Sequence, residues 1–355
     1  MLATHGEAAG VPGQLSRRAT TRYTRPMSAS PLQQPEFLPF KIDVVMRRVL
    51  WLRLDAQQRR EAAFLDDRAM PVDPQGGWMA LDPLLAADHV GLAPAHAIFH
   101  IGHCGSTLLS RLLDSWPELQ GLREPLPLRT LAELWPTLGQ PLARLSEAQA
   151  SRLMDALWAR WSMPLPPMQR SVVKATSSCN GLIAPLLARH PDMRAILLDM
   201  PLRPYLATLL KSPASVLDAA NAAGERLAHL HSRGIARDVS LHELTLPQQC
   251  AMGWWSERLR FGAFASGADA ARVLRIDFEQ LLLHPERELQ RIAAHLGLDH
   301  THVADALAST AWGRYSKAQS HGYGRDDRAH DLALAMQRHA DGIAEGEAWV
   351  RRLTA

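Results

Sequence analysis

The 355-residue sequence has only three cysteines, Cys104, Cys179 and Cys250, far apart and with no C-x-x-C pair. That spacing excludes a disulfide framework and a zinc knuckle, and it fits a reducing cytoplasm. The chain also lacks any apolar stretch near the ~18 residues that spanning a bilayer requires, so neither a transmembrane helix nor a secretory signal is expected. An excess of one charge is missing too: 39 Lys and Arg stand against 36 Asp and Glu, a formal net charge of +3. No strong field would hold a polyanion, which excludes nonspecific nucleic-acid binding and leaves room only for a local anion site. No repeat or low-complexity linker divides the chain, and 47% hydrophobic against 21% charged residues is ordinary globular composition. Acidic residues are scarce at the start, where Glu7 alone precedes Glu36 in a segment rich in Ser, Thr, Arg, Pro and Gly. This predicts a disordered or targeting tail over residues 1–35, with Met27 as an alternative start.

Residues 36–90 read as an arm that docks on the main domain and carries no site. A strand-like stretch from Lys41 to Leu52 is followed by a short helix with Asp55 as its N-cap. From 91 to 355 strands and helices alternate. Ala97-Ile98-Phe99-His100-Ile101 is the pattern of a buried parallel strand, and Leu108, Leu109, Leu112, Leu113 and Trp116 recur at helical spacing until Pro117. Further strands are expected at 120–122, 171–173, 195–198 and 272–276. A helical section over 214–265 breaks near Gly234 and restarts at Leu246-Pro247, and an amphipathic helix covers 288–296. The fold class is α/β, three-layer, with a mainly parallel sheet flanked by helices.

Between that first strand and its helix lies Gly102-His103-Cys104-Gly105-Ser106-Thr107. A glycine-rich turn here aims unpaired backbone N–H groups and the positive helix end at one point, where an anion belongs. Ser106 and Thr107 add hydroxyl donors, and the glycines allow close backbone approach. A nucleotide triphosphatase loop would place lysine after the second glycine, but Gly105 is followed by Ser106. A cysteine phosphatase would need arginine at position 110. That residue is Ser110, and one step further, at Arg111, a helical side chain has turned by ~100°.

With these residues the chain resembles the PAPS-dependent sulfotransferase superfamily (PAPS is 3'-phosphoadenosine 5'-phosphosulfate), in particular its bacterial and tyrosylprotein-sulfotransferase-like branch. The resemblance covers roughly 97–323. It matches Gly102, His103, Cys104, Gly105, Ser106 and Thr107 to a phosphosulfate loop of the type P-R-S-G-T-T, with His103 at the basic position. It implies that Glu124, twenty-one residues beyond His103 in Arg123-Glu124-Pro125, is the base. Lys174, closing Val172-Val173-Lys174, would approach the transferring group, and a protonated His103 would steady the leaving oxygen. The stretch from Arg272 to Leu281 with His284-Pro285-Glu286 resembles a structural segment of the family. At the 3'-phosphate site the leading arginine is replaced by Asp199 and the serine by Ala207, so that Arg203 and Thr208 stand as substitutes. Arg314-Tyr315-Ser316-Lys317 resembles the loop that closes over the nucleotide.

The activity so implied is sulfuryl transfer from PAPS, as donor cosubstrate, to a hydroxyl of a small molecule, glycan or peptide, with no metal, no nucleic acid and no membrane involved. A noncatalytic protein that binds a nucleotide or another anion is the alternative, prompted by Asp199 and Ala207. Cys104 reads as a small filler and not a nucleophile. The histidines His229, His231, His284, His295, His300 and His302 lack ligand spacing, and the ten tryptophans read as core. Acceptor identity and oligomeric state are not encoded legibly; the acceptor pocket would come from 126–167 and 214–245.

Overall fold

A computed structural model describes residues 31–87 and 93–354. Strands β1 (Phe37–Asp43), β2 (Arg48–Arg53) and β3 (Gly76–Ala80) form an antiparallel sheet in that order. The single strand expected over 41–52 is therefore a hairpin, with Asp43 paired to Arg48 across a turn. The helix Ala56–Glu61 follows, capped by the Asp55 side chain as anticipated. Of the expected tail, residues 31–35 are described, and buried Arg59 and Arg160 donate to the carbonyls of Pro35, Leu32 and Gln34. The rest of 1–35, and 88–92 at the arm's end, lie outside the described residues.

The main sheet has five parallel strands: β4 (His96–His100), β5 (Leu119–Arg123), β6 (Arg170–Lys174), β7 (Ala195–Asp199) and β8 (Val273–Asp277). Their order is β5-β6-β4-β7-β8. Every residue of β7 and the last four of β4 are buried. Because alternate strand residues point to opposite faces, burial of consecutive residues means that both faces are covered by helices, the three-layer arrangement. The chain leaves β4 toward β5 on one side and leaves β7 toward β8 on the other. Such a switch between neighbouring strands opens a crevice at their carboxyl ends, where ligands of open α/β sheets bind.

The helical section runs as Pro213–Asn221, Ala223–Ser232 and Leu246–Ser266, the last capped by Thr245 with Pro247 in its first turn. Six of the ten tryptophans, Trp51, Trp116, Trp158, Trp161, Trp254 and Trp349, are buried core. Among the described residues, no helix is long and apolar enough to cross a membrane.

Candidate active site

The loop is fastened at its entry by His100. The Gly102 N–H donates to His100 Nδ1 at 3.0 Å; a backbone N–H can only donate, so the ring proton sits on Nε2, 2.9 Å from the Ala175 carbonyl. Burial first, and then nearby Lys174, push the pKa of His100 well below the usual histidine range, so the ring stays neutral. The His100 carbonyl accepts from Asn180 Nδ2 at 2.9 Å, and Asn180 also donates to buried Glu257 at 2.9 Å.

Gly102, His103 and Gly105 have φ of 91°, 51° and 77°, the left-handed region. A Cβ on Gly105 would stand 2.0 Å from the Phe278 ring, so only glycine fits there. Helix Ser106–Leu112 begins immediately after. Among the described residues, the N–H groups of Gly105, Ser106 and Thr107 and the hydroxyls of Ser106 and Thr107 find no partner within the chain. Gly105, Ser106 and Thr107 all line one cavity, an arrangement that can cradle an anion.

A cavity of about 440 Å³ opens in front of the cradle. Its wall carries His103, Gly105, Ser106 and Thr107 together with five cations, Lys211, Arg314, Lys317, Arg325 and Arg328, against the single carboxylate of Asp218. Lys211 and Arg328 are balanced by Asp331 and Glu279. Among the described residues no carboxylate lies within 4.0 Å of Arg314, Lys317 or Arg325, so the cavity holds uncompensated positive charge. Aromatic rings complete the wall: Trp312 under the Arg325 guanidinium at 5.0 Å, Phe278 under Arg328 at 5.1 Å, and Tyr315 edge-on to Tyr323. The cavity can hold a planar, multiply anionic molecule.

Glu124 and Lys174 meet at the carboxyl ends of the paired strands β5 and β6. Their side chains form an ion pair, and the Glu124 N–H donates to the Lys174 carbonyl at 2.6 Å. Lys174 is buried and its pKa is lowered, chiefly by desolvation and against the pull of Glu124. Glu124 is partly exposed and holds a left-handed φ of 51°. Neither residue lines the cavity, and Lys174 lies within electrostatic reach of Lys317 and His103.

The other anticipated residues divide. Tyr315, Ser316, Lys317 and Thr208 line the cavity, although the Thr208 hydroxyl is turned back to the Pro204 carbonyl. Arg203 is not on the wall; it is exposed and lies 3.9 Å from Glu347. Cys104 is buried, donates to the Leu198 carbonyl, and burial pushes its thiol up to about 12, the behaviour of a filler. The charge expected on His103 needs correction. Burial, then Lys317, lowers its pKa to about 4, so near pH 7 this ring is neutral and offers only a hydrogen bond. Asp199 is buried between β7 and β8, accepting from Arg258 at 3.0 Å and Arg275 at 2.7 Å, which makes it a brace and not a nucleotide contact.

Sequence reasoning missed Lys211, Trp312, Arg325 and Arg328. No local signal marked Arg325 and Arg328, which share the first turn of the helix Arg325–Arg338 with Asp326 and Asp327, acids that already answer the macrodipole. Among the described residues, no group of His, Cys, Asp or Glu side chains is placed to hold a metal ion.

The sequence profile of the Sulfotransferase family matches residues 98–302, more than half of the chain and both strands that carry Glu124 and Lys174. The chain belongs to the sulfotransferase family. It is an enzyme of sulfuryl transfer. Among solved structures it is similar to the sulfotransferase domain of the curacin biosynthetic pathway, at 14% identity over 70% of this chain and 91% of that one, with a TM-score of 0.39. The sulfotransferase domain of the Synechococcus PCC 7002 olefin synthase matches at 16% identity over 74% and 97%, with a TM-score of 0.39. A Mycobacterium avium sulfotransferase matches at 14% identity over 72% and 79%, with a TM-score of 0.36. No curated protein sequence matches the chain.

Proposed function

We propose that this sulfotransferase takes its sulfuryl group from PAPS and delivers it to a hydroxyl acceptor, with Glu124 as general base. The observation that carries the reading is the meeting of two features in one cavity: an anion cradle of unengaged donors at Gly105, Ser106 and Thr107, and the uncompensated cations Arg314, Lys317 and Arg325. One anionic group alone would not need both. A nucleotide with a phosphosulfate at one end and a phosphate at the other does, and the rings of Trp312 and Phe278 suit its base.

Sulfuryl transfer, by analogy with phosphoryl transfer, proceeds in line through a loose transition state, so the protein positions groups and neutralises growing charge. Glu124 accepts the acceptor's hydroxyl proton as the new oxygen–sulfur bond forms. The old bond from sulfur to the bridging oxygen breaks, and its electron pair stays on the leaving phosphate. Loop N–H groups and a neutral His103 N–H stabilise that oxygen from the cavity wall, and the Lys174 ammonium, off the wall, adds its field at longer range. A positioned carboxylate base contributes roughly 10²–10⁴-fold to such a step.

Calorimetry with PAP, the desulfated donor, tests the reading. Binding at micromolar levels is expected, lost in Gly105→Ala; a protein that ignores PAP at high micromolar concentration would be an anion binder of another kind.

A further inference from the structure

The N-terminal arm, expected to dock without a role in the site, makes contacts that run into the cavity wall. Arg111, on the helix that follows the loop, reaches three carbonyls. Its Nε donates to Ser316 at 2.7 Å, and its terminal nitrogens donate to Glu61 at 3.2 Å and Arg60 at 3.4 Å. One guanidinium thus ties the end of the arm's helix to the residue beside Lys317. Arg123, fully buried, grips the same turn from below through the Arg60 carbonyl at 2.9 Å.

Beyond that turn the arm passes alongside Glu124. The Leu65 N–H donates to the Arg123 carbonyl at 2.7 Å, and the Leu126 N–H donates back to the Leu65 carbonyl at 3.2 Å, so the arm brackets Glu124 on both sides. This pairing places Phe64 against the site, where the Lys317 ammonium stands 5.8 Å from its ring centroid. The other cation on that ring, Arg68 at 3.5 Å, is neutralised by Asp66. Among the described residues Lys317 has no such carboxylate, and its ammonium faces the Phe64 ring. A lysine on a flexible stem samples many positions unless something selects one.

We propose that Phe64 is a positioning residue that holds Lys317 between the donor cavity and Glu124, and that Arg111 clasps the arm and the 314–323 loop into one unit. The arm is then a working part of the enzyme, because the face of an aromatic ring attracts an ammonium and the clasp fixes the backbone from which it projects. This rests on the reading of the cavity as the donor site, but only through Lys317.

Two measurements test it. In PAP calorimetry, Phe64→Leu and Lys317→Met should each weaken binding about three- to tenfold, and the double variant should be no worse than Lys317→Met alone. Phe64→Trp should restore wild-type affinity, which a merely packing role at this position would not predict. Wild-type affinity in Phe64→Leu, or fully additive losses, overturns the positioning role. In hydrogen exchange of the unliganded protein, Arg111→Leu should speed exchange in both 62–66 and 314–323, while a change in only one segment overturns the clasp. Because the exchange readout needs no nucleotide, failure of the wild type to bind PAP would count against the donor reading and leave the clasp decided on its own.

Discussion

Lys174 and Glu124 are joined twice, by an ion pair between side chains and by a 2.6 Å backbone hydrogen bond from Glu124 to Lys174, at the ends of neighbouring parallel strands. The backbone bond fixes the spacing, and the side-chain pair then leaves the carboxylate oriented while the ammonium stays buried. A base held in this way loses little freedom when an acceptor arrives.

Replacing Glu124 by Gln should therefore lower turnover by about 10²–10⁴-fold. PAP affinity should change little, because Glu124 does not line the cavity. Steady-state rates and calorimetry on the same preparation check this. Undiminished turnover would remove Glu124 from the role of base.

Gly105→Ala should abolish donor binding and lower the melting temperature. The added methyl would meet Phe278 at 2.0 Å, and the left-handed φ of 77° adds roughly 1 kcal/mol for any residue with a Cβ. Scanning calorimetry with and without PAP separates the two losses. Full retention of PAP affinity would contradict the cradle.

Asp199→Ala should destabilise the fold by about 1–3 kcal/mol, since it leaves Arg258 and Arg275, both partly exposed, without the buried carboxylate they share. Denaturant melts report this directly. PAP binding to the folded fraction should be retained, and a specific loss of affinity would return Asp199 to the nucleotide site.

Two pH dependences follow from three desolvated histidines, His100 buried and His96 and His103 partly so. His100 is held well below its ordinary range, and His96 and His103 are lowered to about 4, chiefly by burial. Unfolding releases each ring to a pKa near 6.5, so below that pH the unfolded state takes up protons that the folded state refuses. Stability should be level above about 6.5 and fall as the pH drops from there toward 4, which thermal melts between pH 7.5 and 5 would register. For activity, kcat/KM for the donor reports the free enzyme, so His103 should give no inflection near 6.5. A loss of kcat/KM centred at that pH and absent in His103→Asn would show the ring charged after all.

Strands β4, β6 and β7 were legible because each is a short run of consecutive buried apolar residues, a signal carried by local sequence. The hairpin of the arm was not. Its turn presents Val45 and Met46 to solvent, 63% and 64% exposed, so an apolar stretch that runs on without punctuation reads as one strand. The loop from Gly102 to Thr107 was readable because its chemistry lies in six adjacent residues. Arg325, Arg328 and Trp312 join it only through tertiary packing, and Phe278 meets Gly105 across more than 170 positions. The neutral state of His103 was equally hidden, since burial is a property of the fold and not of the residue type.

Because Gly102 can only donate to the His100 ring, the imidazole is locked as one tautomer with its proton on Nε2. The two ring nitrogens should give well-separated nitrogen resonances, one protonated and one bare. The enzyme thus carries its own reporter of whether the loop is seated, visible in the magnetic resonance spectrum of isotope-enriched protein without ligand or acceptor.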